Sequence, residues 1–225
     1  MHESHVSIEV AGAGGVSGIV SMPGDFRPGT GTAVVLAHGA GNDMHNPLLE
    51  AVASGLADAG YPALRFNFPY KEQGRKAPDR REILESAWQS AFEFMEEHDE
   101  IRPERVVAAG KSMGGRIAAE MVSAGALPAD RLVFLGYPLH APGEKDRLRD
   151  ARLYDISVPM LFFAGSRDSL CDLKLLRSVL SKLRAPWDLE VIDGGDHSFK
   201  LPRASGISET DVFARIVSKM LDWLT

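Results

Sequence analysis

The sequence is poor in cysteine and has no long apolar run. Its 225 residues include a single cysteine, Cys171, which excludes an internal disulfide and a metal site built from several cysteines. No run of apolar residues reaches the roughly 18–20 residues that cross a bilayer. The N-terminal residues MHESHVSIEV lack the basic region and apolar stretch of a secretory signal. These absences predict a cytoplasmic protein with no membrane partner.

Positive charge is also scarce. Lysine and arginine number 25 against 31 aspartates and glutamates, so the formal net charge is −6. A protein whose main task is to neutralise nucleic-acid phosphates has the opposite balance, and we expect no nucleic-acid partner. The fractions of hydrophobic residues, 44%, and charged residues, 25%, are typical of a globular protein. Because the chain has no repeat and no long linker, we predict one domain over residues 1–225.

Short apolar runs bounded by Gly, Pro or Asn recur from residue 32 onward, as expected for strands that are covered on both faces. They are TAVVLAHG, PALRFNF, RVVAAG, RLVFLGYP, VPMLFFAG and LEVIDGG. Before them, residues 5–10 and 16–22 alternate between apolar and polar positions around a glycine-rich turn. This alternation predicts an antiparallel hairpin.

Helical spacing of apolar residues fills the segments between these runs. The predicted helices cover residues 47–59, 80–98, 113–124, 170–183 and 209–224. Capping signals flank several of them, in Asn46-Pro47, Gly60, Gly125 and Ser208 to Asp211. Alternating strands and helices predict an α/β fold, with a mostly parallel sheet of about eight strands and helices on both faces. The hairpin would add antiparallel strands at one edge.

The stretch AAGKSMGGR, residues 108–116, contains the most specific chemical signal. A phosphate-binding loop is excluded, because Arg105 occupies the place of that loop's first glycine. Glycines two residues before and after Ser112 instead match the sharp strand-to-helix turn that exposes a nucleophilic serine. The flanking strand and helix patterns favour this interpretation. The alternative is a glycine-rich connection with an inert serine.

A serine nucleophile needs a base and an acid that orients the base, which follow it in the order acid then histidine. Asp168 lies just after the run VPMLFFAG, and His197 lies just after LEVIDGG. Both positions fall at the C-terminal ends of predicted strands, so the three side chains should converge at one edge of the sheet. Other acids that could serve instead are Asp172, expected inside a helix, and Asp193 and Asp196, close to the histidine in sequence.

Acyl transfer also requires N–H donors for the tetrahedral oxyanion. The amides of Met113, which follows the serine, and of Ala40, in the loop HGAG after the first parallel strand, are the expected donors. His38 in that loop is expected to form structural hydrogen bonds. We name Gly39, Tyr70, Tyr137 and His140 as candidate substrate-binding residues; for the two tyrosines, anchoring of loops to the core is an equally good interpretation.

These motifs, HGAG, GKSMGG, GSRD and GDHSF in that order, resemble the α/β-hydrolase superfamily over essentially the whole chain. In detail the chain looks like the small lidless enzymes near dienelactone hydrolase. The stretches RFNFPY and GYPLH suggest predicted hydrolases related to a domain of a chromatin-complex subunit. Dienelactone hydrolase uses a cysteine nucleophile, whereas position 112 is serine, so the resemblance implies the fold and a Ser-Asp-His triad but no particular substrate.

The surroundings of the site bear on its substrate. Only about twenty residues separate Tyr137 from Val158, too few for a lid domain, so we expect an open site that suits a small soluble substrate. The segment 69–81 holds five basic and two acidic residues. It could attract an anionic substrate, although a solvated loop is the favoured interpretation. Lys111 is left without a role.

Together these observations predict a serine hydrolase that cleaves an ester or related acyl bond. Ser112, His197 and Asp168 would form its triad, and no metal or cofactor would be required. The alternative is a binding or scaffold module that retains the hydrolase residues. Peptidase and acyltransferase activities are variants that the sequence does not separate, and the oligomeric state is left open.

Overall fold

A computed structural model of the protein describes residues 1–26, 28 and 31–225. Its strands are β1 His2–Val10, β2 Gly14–Met22, β3 Thr32–Ala37, β4 Ala63–Phe66, β5 Arg105–Lys111, β6 Arg131–Leu135, β7 Met160–Gly165 and β8 Trp187–Ile192. Its α-helices are α1 Pro47–Asp58, α2 Pro69–Glu72, α3 Arg81–Glu96, α4 Met113–Ser123, α5 Leu173–Leu180 and α6 Glu209–Leu224. The predicted α/β fold is confirmed. In the described part of the chain, no helix is both long and apolar enough to cross a membrane.

The strands form one eight-stranded sheet in the order β1-β2-β4-β3-β5-β6-β7-β8. The pairs β1–β2 and β2–β4 are antiparallel, and the remaining pairs are parallel. The predicted hairpin is therefore present, and it covers one edge of the parallel strands. Since the parallel strands all end at the same edge of the sheet, the loops that follow β3, β5, β7 and β8 are neighbours.

Helices cover both faces of the sheet and enclose two apolar layers. Helices α3, α4 and α5 pack on one face, where Trp88 and Phe92 are buried against strand residues such as Phe66. Helices α1 and α6 pack on the other face, where Leu49 and Ile216 are buried. All six residues of β3 are buried, as expected for a strand in the middle of the sheet.

The capping signals in the sequence are confirmed. Asn46 accepts a hydrogen bond from the N–H of Leu48 at the start of α1, and Ser208 and Asp211 form a capping box at the start of α6. Gly60 and Gly125 follow their helices with φ of 96° and 71°, the left-handed conformation that favours glycine. These contacts satisfy backbone groups at the helix ends that would otherwise lack partners.

Two local predictions were wrong. The helix predicted for 170–183 is shorter, because the Asp172 carboxylate accepts hydrogen bonds from the N–H groups of Lys174 and Leu175 and so caps the helix from outside. The segment 69–81, predicted to be a solvated loop, begins with the one-turn helix α2. Between β6 and β7 the regular structure is one turn of 3-10 helix, Ala151–Asp155, and no lid domain is present in this described segment.

Candidate active site

Ser112 lies in a sharp turn between strand β5 and helix α4. Strand β5 ends at Lys111 and helix α4 begins at Met113, so Ser112 alone makes the turn. Its backbone has φ 50° and ψ −112°, a conformation that a residue with a side chain rarely adopts. Strain of this kind persists only where the surrounding structure holds it, and it is concentrated at functional sites. The turn lifts a partly exposed hydroxyl above the end of the sheet.

Three glycines make this turn sterically possible. A Cβ atom on Gly110 would lie 2.2 Å from the backbone nitrogen of Gly115, and one on Gly115 would lie 2.7 Å from the oxygen of Gly110. A Cβ atom on Gly114 would lie 2.7 Å from the backbone oxygens of Ala37 and His38. The obstructing atoms belong to the backbone and cannot rotate away. The glycine spacing of the motif therefore follows from the close contact of β3, β5 and α4.

The structure brings Ser112, His197 and Asp168 together. The Oγ of Ser112 lies 2.8 Å from Nε2 of His197, and Nδ1 of His197 lies 2.7 Å from Oδ2 of Asp168. The Asp168 side chain is fully buried, whereas the His197 side chain is 20% exposed. Since an ionised carboxylate only accepts hydrogen bonds, Nδ1 carries the imidazole proton and Nε2 is left to accept the serine proton.

The other acids near the histidine are engaged elsewhere. Asp172 caps α5. Asp193 accepts a hydrogen bond from the Ser166 hydroxyl, and Asp196 accepts from the N–H groups of two residues in its own loop, Ser198 and Lys200. Asp168 is further fixed because its Oδ1 accepts from the N–H of Leu170. Among the four acids considered from the sequence, Asp168 is the one that contacts the imidazole.

Ala40 and Met113, the residues expected to supply the oxyanion amides, lie beside Ser112. Both residues line the cavity that contains Ser112. In the described part of the chain, neither N–H donates to a protein acceptor, so both are available to an oxyanion. Gly39 brings the loop close, because a Cβ atom there would lie 3.3 Å from the Cβ of Ser112.

His38 is fully buried and holds the loop that contains Gly39 and Ala40 through hydrogen bonds. Its Nδ1 donates to the carbonyl oxygen of Gly39 at 2.9 Å, and its Nε2 accepts from the N–H of Phe68 at 3.0 Å. Burial lowers its pKa to about 4, so the ring is neutral at pH 7. The structural role predicted for His38 agrees with these contacts.

Two of the candidate substrate-binding side chains are tyrosines that turn inward. Tyr70 is fully buried and its hydroxyl donates to the Gly39 carbonyl at 3.4 Å. Tyr137 is 2% exposed and its hydroxyl donates to the Arg149 carbonyl at 2.7 Å. Both hydroxyls are therefore used to hold loops of the site. The interpretation of these tyrosines as loop anchors is the one that their contacts support.

His140, another candidate substrate-binding residue, also makes its contacts inside the protein. The ring is 1% exposed, its Nδ1 donates to the Ala141 carbonyl at 2.9 Å, and its Nε2 accepts from the N–H of Asp172 at 3.0 Å. Both ring nitrogens are thus occupied by backbone groups. His140 ties the loop after β6 to the start of α5, much as His38 ties two loops on the other side.

Ser112 opens into a cavity of about 710 Å³ whose wall is mainly apolar. Ile117, Pro138, Pro142 and Leu170 contribute to the apolar part. The volume falls within the range of about 300–1,000 Å³ that is usual for small-molecule sites. The sequence did not identify these residues, because they lie on one helix and two separate loops that only the fold brings together.

Three arginines, Arg81, Arg116 and Arg149, also line this cavity, and the sequence analysis missed the last two as site residues. Arg81 pairs with Glu85 at 2.6 Å, and both Arg81 and Arg116 pair with Glu120. In the described part of the chain, Arg149 makes no ion pair, and its side chain is exposed. Of the three arginines, Arg149 is therefore the one whose charge has no acid partner among the described residues.

Most of the basic residues in 69–81 are neutralised locally. Arg75 pairs with Asp79, Arg80 lies 3.8 Å from Glu82, and Lys71 lies 3.8 Å from Asp43. Pro78, Asp79 and Arg81 are the residues of the segment that line the cavity. The segment thus resembles a solvated loop more than an anion-binding surface.

Residues 30–225 match a family described as an alpha/beta hydrolase domain. The chain belongs to the α/β-hydrolase family. A dienelactone hydrolase from Anabaena variabilis superimposes on this α/β-hydrolase with a TM-score of 0.75 at 20% identity, covering 99% of this chain and 96% of the other.

Other solved α/β-hydrolases have similar folds. A serine hydrolase without a lid from Xanthomonas campestris matches with a TM-score of 0.70 and 20% identity over 96% of this chain and 95% of its own. Est1E from Butyrivibrio proteoclasticus, in a structure with bound ferulic acid, matches with a TM-score of 0.74 and 13% identity over 96% and 98%. At these identities the structures show that the fold is shared.

Proposed function

We propose that this α/β-hydrolase is a serine hydrolase that cleaves an ester or related acyl bond of a small substrate. The observation that carries the proposal is the unbroken hydrogen-bond chain from Ser112 Oγ through the His197 ring to buried Asp168, with distances of 2.8 Å and 2.7 Å. A serine becomes nucleophilic when a base accepts its proton and a third group orients that base. Here the serine, the base and the orienting group are Ser112, His197 and Asp168.

The chemistry proceeds through an acyl-enzyme. Ser112 Oγ attacks the carbonyl carbon while its proton passes to Nε2 of His197, and the N–H groups of Ala40 and Met113 bind the resulting oxyanion. Cleavage of the ester C–O bond releases the alcohol, which takes the proton from His197. Water then loses a proton to His197 and attacks the acyl carbon, and the bond between that carbon and Ser112 Oγ breaks as Oγ takes the proton back from His197. The products are a carboxylic acid and the free Ser112 hydroxyl.

Short acyl esters are the expected substrates, because the cavity is open and no lid supplies an apolar tunnel. With 4-nitrophenyl acetate or butyrate, we expect turnover preceded by a burst of nitrophenol that approaches one equivalent per active site when deacylation is slow. Palmitoyl esters should react much more slowly. Stopped-flow absorbance measures the burst. Absence of both burst and turnover in folded protein would favour a binding or scaffold module.

A negatively charged group on the substrate is expected to bind Arg149. The backbone of this residue is fixed, since its N–H donates to the Leu139 carbonyl at 2.7 Å and its carbonyl accepts from Tyr137. The guanidinium itself has no acid partner among the described residues, and Arg149 is one of the residues that line the cavity of Ser112. A carboxylate is the group that its planar donors match best.

Substitution of Arg149 by Met should therefore change selectivity. For a mono-4-nitrophenyl ester of succinic or glutaric acid, we expect KM to rise about fivefold, the size of an exposed charge-assisted contact of about 1 kcal/mol. For neutral 4-nitrophenyl butyrate, KM should change less than about twofold. Arg147→Met, on the same exposed loop but outside the cavity wall, is the control. Equal effects of Arg149→Met on both esters would contradict the assignment.

A further inference from the structure

Lys111 is a buried charged residue beside the site that the proposed reaction does not use. It is the last residue of β5, directly before Ser112, and it is 4% exposed. Its side chain turns away from the substrate cavity toward a separate polar cavity of about 260 Å³. There Nζ donates to the backbone carbonyl of His197 at 2.5 Å and lies 5.5 Å from the centre of the Phe199 ring.

The hydrogen bond from Lys111 to His197 connects two parts of the site that share few other hydrogen bonds. Within the described residues, two hydrogen bonds connect the nucleophile turn, residues 110–114, with the histidine loop, residues 193–201. One is the Ser112–His197 bond itself, and the other is the bond from Lys111. The histidine loop and the acid loop are tied separately, because the N–H of Arg167 donates to the Gly195 carbonyl at 2.8 Å.

The histidine loop needs such a support because its backbone is strained. Phe199 has φ 63°, which is unusual for a bulky residue, and its ring is fully buried. Gly136 packs against the hydrogen bond between Lys111 and His197. A Cβ atom on Gly136 would lie 3.2 Å from the His197 carbonyl oxygen and 3.3 Å from Lys111 Nζ. The lysine thus fills the space between β5, the loop after β6 and the histidine loop.

Burial of an ammonium group is costly, and a hydrophobic side chain would fill this space at less expense. Desolvation lowers the pKa of Lys111 to about 8, and the nearby carboxylates of Asp168 and Asp196 oppose that effect. The charge is therefore retained near neutral pH in a place where it adds little to stability. What it does provide is a charge-assisted donor, roughly twice as strong as a neutral one.

We propose that Lys111 is a positioning residue that holds the His197 backbone so that the imidazole stays in line with Ser112 and Asp168. This inference rests on the proposed serine hydrolase function. A small displacement of a catalytic group lowers the rate by a large factor. The hydrogen bond from Lys111 fixes the distance between β5 and the histidine loop, so its loss should lower kcat. Substrate binding is unaffected, because Lys111 does not line the substrate cavity.

The proposal predicts a particular pH dependence. When the ammonium loses its proton, the donor to His197 becomes a weaker neutral amine, so wild-type kcat should fall as the pH rises through about 8. The charged and titratable groups that surround Lys111 are Asp168, Asp196, His197, Lys200 and Glu209. Arginine at this position does not titrate, and a variant that carries it should keep a flat profile on the alkaline side.

The test compares Lys111→Met, Lys111→Arg and the matched control Lys200→Met, whose lysine is exposed beside the same polar cavity. With 4-nitrophenyl butyrate, Lys111→Met should lower kcat at least about tenfold with KM within about twofold, since only positioning is lost. Lys111→Arg should recover most of the kcat and lack the alkaline decline. Lys200→Met should match the wild type at every pH.

The outcomes separate this proposal from the one on which it rests. Wild-type kcat in Lys111→Met overturns the role of Lys111 while leaving the hydrolase function intact. If Lys111→Met does not fold, the pH profiles decide instead. The role of Lys111 is overturned when the kcat of the wild type stays constant from about pH 7 to 10 and equals the kcat of Lys111→Arg. A folded wild-type protein with no turnover overturns the hydrolase function, and the positioning role with it.

Discussion

Replacement of Ser112 by Ala is expected to lower kcat for a short-chain nitrophenyl ester by at least about 10⁴-fold, with the fold unchanged. The reason is that the variant keeps the oxyanion amides and the cavity but has no oxygen to form the acyl-enzyme. Steady-state kinetics measure the loss, and circular dichroism with thermal melting confirms that the variant is folded. The burst of nitrophenol should disappear as well.

Ser112, His197 and Asp168, the three residues of the proposed triad, are expected to act as one unit. His197→Ala should therefore reduce kcat about as much as Ser112→Ala, and the double variant should be no more than a few-fold worse than either. Ser198→Ala, which changes an exposed serine next to the histidine, is the control and should stay within about twofold of the wild type. Additive losses in the double variant would show that the residues do not share one reaction path.

Replacement of Gly110 by Ala should strongly destabilise the protein. The added Cβ would lie 2.2 Å from the Gly115 nitrogen and 2.5 Å from the Gly114 carbonyl carbon. Because these are backbone atoms, relief requires β5 and α4 to separate, which opens the layer beneath them. We expect a loss of at least about 4 kcal/mol in the free energy of unfolding, or no folded protein at all.

Gly24→Ala supplies the matched comparison for this effect. A Cβ atom there meets nothing within 4 Å, and its φ is not in the left-handed region. Its free energy of unfolding should stay within about 0.5 kcal/mol of the wild type. Urea unfolding followed by tryptophan fluorescence measures both variants. A Gly110→Ala protein as stable as Gly24→Ala would contradict the view that close packing of strand against helix fixes the nucleophile turn.

Sequence reasoning located the parts of the site that depend on chain order and strand direction. Ser112, Asp168 and His197 each follow a recognisable buried strand, and parallel strands bring their C-terminal ends to one edge. The glycine spacing around Ser112 likewise depends on local sterics, which a motif records. These features could be predicted because each rests on residues that are close in sequence or on a general property of parallel sheets.

The side-chain directions in the loops could not be predicted in the same way. Tyr137 and His140 follow a strand that ends near the site, but both turn inward because the loop folds back to offer backbone partners at Arg149 and Asp172. Arg149 reaches the cavity through that same folding back. The burial of Lys111 could not be predicted for another reason. Lysine is almost never fully buried, and nothing in the sequence of β5 indicates that its ammonium group has a partner.

The central claim, that Ser112 is an activated nucleophile, is tested most directly by covalent labelling. Wild-type protein and the Ser112→Ala variant would be treated with a fluorophosphonate probe at neutral pH, followed by intact mass spectrometry and peptide mapping. The proposal predicts one adduct per wild-type chain, located on Ser112, and none on the variant. Folded wild-type protein that remains unlabelled, or an adduct on another residue, would contradict it.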